Sequence, residues 1–66
     1  MGNEARLDAL VCGNIQQYHG YIVNLNNYEL ACFVHWLFFD ASERYSKIVV
    51  ARAVHHVKVA IERKTN

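Results

Sequence analysis

Thiols and imidazoles are the first groups in this chain that could do chemistry. Cys32 and His35 stand at i and i+3, which places both on one face of a helix. That spacing suits two ligands of a metal ion, with His55 or His56 and a fourth group completing a tetrahedral shell. No second Cys-x-x-Cys or His-x-x-x-His pair accompanies them. The incomplete ligand set predicts no metal and no cofactor. His55 and His56 are adjacent, so on a helix they point about 100° apart and do not readily grip one ion. A solvated pair is the plain reading. A pH-sensitive contact is the sharper one, because imidazole titrates near neutrality.

Nucleophilic catalysis finds little to work with. Cys12 with His19, or Cys32 with His35, offers thiol and imidazole. No glycine-rich turn supplies an oxyanion site, and no Asn or Asp is placed as an orienter. The carboxylates Glu4, Asp8, Glu29, Asp40 and Glu43 fall at helix starts, where caps and the helix dipole already account for them. These residues predict no enzymatic activity.

The charged residues are divided along the chain. Residues 1–43 hold one basic side chain against five acidic ones, net −4, and residues 44–66 hold six against Glu62, net +5. Arg44, Lys47 and Lys58 read as a basic stripe on the outer face of a third helix, with His55 beside them. Such a stripe could meet phosphates. Basic residues near helix ends are also what the dipole favours. A helix-turn-helix is not apparent, since the turn at Asp40 lacks glycine and the preceding helix is too apolar to lie across a nucleic-acid backbone.

Three helices are expected to position these groups. The first covers about residues 4–18, with Asn3 as cap and Leu7, Leu10, Val11, Ile15 and Tyr18 within about 140° of arc. Gly20 ends it. Tyr21 to Leu25 reads as an extended connector. The second covers 27–39, capped by Asn26 with Glu29 at N3. Leu30, Phe33, Val34, Trp36, Leu37, Phe38 and Phe39 leave it almost no polar face. The third covers 41–63, with Asp40 and Glu43 repeating the box. Its apolar face is Val49, Val50, Ala53, Val54, Val57, Ala60 and Ile61. An alternating strand over 57–61 competes there and loses on length.

The 66 residues, 53% apolar and without proline, fit one helical domain over residues 1–66 and exclude collagen-like and low-complexity classes. The net charge of +1 sets up no global field toward nucleic acid or membrane. No run approaches the roughly 20 apolar residues of a membrane span. The start Met1-Gly2-Asn3 lacks the features of a secretory signal or a myristoylation motif, and two cysteines are too few for a disulfide scaffold. A cytoplasmic protein is the resulting expectation.

Two amphipathic neighbours cannot cover a helix that is apolar all round. The expected solution is a homo-oligomer, a symmetric dimer or a larger assembly, joined through Phe33, Trp36, Leu37 and Phe38; a monomer with a thick aromatic core is the alternative. The expected function is a small non-enzymatic interaction module that binds and modulates, or inhibits, a larger protein. Arg44, Lys47, His55 and Lys58 are its candidate partner-binding residues. The competing reading is a small DNA-binding regulator that uses the basic third helix.

Overall fold

The computed structural model describes residues 2–65. These are 86% helical, with no strand among them. The elements are α1 (Asn3–Val11), α2 (Ile15–Val23), α3 (Asn27–Trp36), a π-helical turn (Leu37–Ala41), the short α4 (Ser42–Arg44) and α5 (Lys47–Thr65). α3, the π turn and α4 run on without a break, so the described residues form four helical rods where three were expected.

The expected first helix is two. Gly13 takes φ +85°, a conformation that side chains with a Cβ rarely adopt. Its N–H donates to the Leu10 carbonyl at 3.0 Å, and the Asn14 N–H donates to the Ala9 carbonyl at 2.9 Å. This pair of bonds closes α1 as a Schellman motif. Asn14 then caps α2, its side chain accepting from the Gln17 N–H at 3.2 Å and donating to the Gln17 side chain at 2.9 Å. Gly20 lies inside α2 and does not end it. Tyr21, Ile22 and Val23 are the last helical residues of α2, not an extended connector, because Ile22 continues the buried face that Tyr18 begins. Asn3 is the first residue of α1 and not its cap; its side chain instead accepts from Arg6.

The capping box at Asn26 and Glu29 forms as expected, with reciprocal bonds of 2.8 and 3.0 Å. The second box does not. Asp40 sits inside the π turn and the helix passes through it, so the third helix does not begin at 41. The chain breaks at Tyr45, whose φ of −114° and ψ of 158° are extended. Ser46 then caps α5: its hydroxyl accepts from the Val49 N–H at 3.3 Å.

α5 is the spine. It packs on α1, α2, α3 and the π turn. It does so with small residues at the closest approaches: Ala53 and Ala60 are buried beside Val50 and Val57. Opposite them lie Leu7 and Leu10 of α1, Tyr18 and Ile22 of α2, Leu30 and Phe33 of α3, and Leu37 and Ala41 of the π turn. Burying each such Leu, Ile or Phe is worth about 1.5–3 kcal/mol. The buried Tyr18 hydroxyl donates to the Ala53 carbonyl at 3.0 Å, so the core's one large polar tip is satisfied. At the far end the Lys64 ammonium donates to the Leu25 carbonyl and ties α5 to the loop before α3.

Candidate interaction surfaces

The register of the buried residues decides which aromatics face water. Phe33, Leu37 and Ala41 recur every four residues on the buried side, and Phe38, Phe39 and Asp40 between the last two lie outside. The Ser42 hydroxyl donates to the Phe38 carbonyl, satisfying a backbone acceptor at the widened turn. Of the four residues expected to join subunits, Phe33 and Leu37 are 1% and 0% exposed within the single chain. Trp36 is half-buried, stacked on Phe33 with ring centroids 6.0 Å apart and planes at 15°. Phe38 is 55% exposed.

Two apolar surfaces result. The outer stripe of α3 carries Tyr28, Cys32, His35 and Phe39 at i, i+4, i+7 and i+11. Tyr28 is 78% and Phe39 65% exposed, and the His35 ring lies 4.4 Å from that of Phe39. About 100° round the same helix, a groove runs between α3 and α5. One stretch, about 430 Å³, is lined by Phe38, Ser42, Lys47, Val50, Ala51 and Val54. It continues past Val34, Val57 and Ile61 to Leu30, Ala31 and Asn27.

The basic candidates do not share one face. Arg44 belongs to α4, on the far side of the Tyr45 break from α5, and its guanidinium pairs with the Glu4 carboxylate. That hydrogen bond and the Glu4 charge raise the Arg44 pKa further. Tyr45 donates to Asp8 at 3.1 Å, and desolvation, with this bond, raises its phenol. Lys47 and Lys58 edge the groove. His55 is exposed on α5, its ring 5.7 Å from that of His56.

His56 turns inward instead, to His19 of α2 at 4.6 Å and Tyr18 at 5.8 Å between ring centroids. Burial lowers the His56 pKa, and the neighbouring His19, His55 and Arg52 add to the effect. Burial pushes the Tyr18 phenol well above its ordinary range. Cys12 and Cys32 are both free thiols on the surface. Among the described residues no group of three or more His, Cys, Asp or Glu side chains is arranged to hold a metal ion.

Comparison with protein-family models, curated proteins and solved structures finds no match. No helix among the described residues is long and apolar enough to cross a membrane. The site is therefore argued from its surfaces alone. Sequence reasoning missed three of their features: the groove, the meeting of His19 with His56, and the exposure of Phe39 beside His35. The first two depend on which helices become neighbours. The third depends on which side of α3 is covered by α5.

Proposed function

We propose that this chain is a small, non-enzymatic, oligomeric interaction module that binds a larger protein and modulates it by covering part of its surface. The carrying observation is the outer stripe of α3. Tyr28 and Phe39 stand exposed on a rigid helix whose other side is anchored in the core through Leu30, Phe33 and Leu37. Large aromatics held in this way present apolar area at little entropic cost, which is why they dominate the energetics of protein interfaces. His35 and Cys32 complete the stripe with small polar groups. An apolar helix face of this kind fits a hydrophobic groove on a partner protein.

The DNA-binding reading draws less support. Arg44 directs its charge to Glu4, and Lys47 and Lys58 flank an apolar groove, so these three do not form one basic face for phosphates.

The test has two arms. The tagged chain is used to capture partners from its native host, beside a Tyr28→Ser/Phe39→Ser variant. A specific protein held by the parent chain and lost by the variant supports the proposal; equal capture by both overturns the role of the stripe. Titration with mixed-sequence duplex DNA at low and moderate salt should show no binding that weakens steeply with salt. A steep salt dependence would favour the DNA reading.

A further inference from the structure

The groove between α3 and α5 is one trough. Its three stretches share lining residues, Val54 between the first and second and Val34 with Ile61 between the second and third. It runs from Asn27 and Glu62 at one end to Ser42 and Lys47 at the other. At 1.5 Å per residue, the span from Lys47 to Glu62 is about 22 Å long.

The two ends differ in shape and in charge. At one end Phe38 stands up from α3 and Lys47 edges α5. At the other the α3 wall is low, formed by Ala31, and Glu62 edges α5 at its far limit, one turn beyond Lys58. The spacing is symmetric. Ala31 and Phe38 lie about equally far on either side of Val34. Lys47 and Glu62 do the same about Val54. Val34 and Val54 are themselves half-buried in the middle of the trough.

Two identical faces pack about a two-fold axis lying in the interface, either along the helices or across them. With the axis along the trough, like ends meet: α3 lies on α5 of the other copy, Phe38 is set against the Lys47 of that copy, and no acid of the trough reaches either lysine. With the axis across the helices, unlike ends meet. Phe38 then lies over the low wall at Ala31 of the other copy, and Lys47 lies beside Glu62 of the other copy. A carboxylate accepts several donors, so Glu62 can serve this role whatever it touches in its own chain.

We infer that a second copy of this chain fills the trough, about a two-fold axis passing across the helices at Val34 and Val54, so that α3 packs antiparallel on α3 and α5 on α5. This rests on the oligomeric part of the function proposed above and names its interface. The area is of the right order. Phe38 and Ile61, at 55% and 40% exposure, each leave on the order of 100 Å² in water. Together they supply about a quarter of the ~800 Å² per partner that a standard interface buries. Val34, Ala31, Ala51 and Val54 extend it along the trough. The outer stripe with Tyr28 and Phe39 stays free in this arrangement.

The test is a charge exchange read by sedimentation equilibrium at micromolar concentration. The parent chain should show twice the monomer mass. Lys47→Glu alone and Glu62→Lys alone each place like charges together at two symmetry-related points, and each should weaken the dimer by about tenfold or more. The Lys47→Glu/Glu62→Lys double variant should recover it. Both positions are exposed, so far-ultraviolet circular dichroism should show unchanged helix in every variant. A dimer that the single substitutions leave intact overturns this interface but not the oligomeric reading. A parent chain that stays monomeric at these concentrations overturns both, and leaves the trough to a helix of some other protein.

Discussion

Gly13 and Gly20 are the same residue seven positions apart, and the structure uses them in opposite ways. Gly13 holds a positive φ of 85° where α1 must stop. Gly13→Ala should therefore cost about 1–2 kcal/mol in denaturant unfolding, the steric cost of a Cβ in the left-handed region. Gly20 sits inside α2, and a Cβ added there would meet nothing within 4 Å. Gly20→Ala should stabilise the chain by about 0.5–1 kcal/mol, since alanine has the better helix propensity and the more restricted unfolded state. The difference was present in the sequence. Gly13 is followed by Asn14 and, three residues later, Gln17, which is a helix stop followed by a helix start. A single-faced pattern across residues 7–18 obscured it, because Tyr18 falls on the apolar arc of one long helix as readily as on the buried face of a second.

His56 belongs to the same scale. Its pKa is lowered in the folded chain by burial, then by His19, His55 and Arg52. The unfolded chain thus binds the proton more readily. The contribution to stability is present in full above the ordinary value of 6.5 and is lost as the pH falls through the lowered one. Melting temperature should fall on going from about pH 7.5 to about pH 5, and His56→Gln should reduce that fall. An unchanged slope in the variant would remove His56 from the account. The motif His55-His56 flagged a titrating pair in sequence, but its principal imidazole neighbour, His19, lies on another helix and could not be read from spacing.

At the scale of the element, the segment from Asn27 to Arg44 shows what pattern reading can and cannot reach. Its start was legible, because Asn26 and Glu29 form both bonds of the box. Its end was not. Asp40 and Glu43 carry the same letters as a box, yet Leu37 and Ala41 are both buried on a continuing helix, and packing on α5 outweighs a local cap. The actual cap, Ser46, has Val49 at N3 and so lacks the reciprocal acid. The apolar face of α5 was legible for a simpler reason: Val50, Ala53, Val57 and Ala60 repeat at helical spacing over a long stretch, and they are the buried residues observed. The buried register separates neighbours sharply. Leu37→Ala should cost about 2–5 kcal/mol, a large part of the stability of so small a domain. Phe38→Ala, one residue on and half in water, should alter folding by under about 1 kcal/mol while weakening self-association. Equal losses of stability at the two positions would contradict this geometry.

Over the whole molecule, a core this small leaves aromatic area over, and the fold sorts that area into two faces. The excess itself was legible from the second helix's lack of polar residues. The sorting was not, since it follows from α5 lying along one side of α3. Because the trough and the outer stripe lie about 100° apart on α3, their functions should be separable. Tyr28→Ser/Phe39→Ser removes two exposed rings that contribute nothing to the core. It should leave circular dichroism, melting temperature and sedimentation mass close to those of the parent chain and abolish capture of the partner protein. Lys47→Glu should do the converse, lowering the mass while each monomer keeps its outer stripe. Partner binding should then persist, weakened only by the loss of two-site attachment. The binding should also survive moderate salt, because buried aromatic area is little affected by screening that removes exposed charge contacts. If Lys47→Glu abolishes partner binding outright, the partner contacts both copies across the dimer, and the stripe on a single chain is not a sufficient binding face.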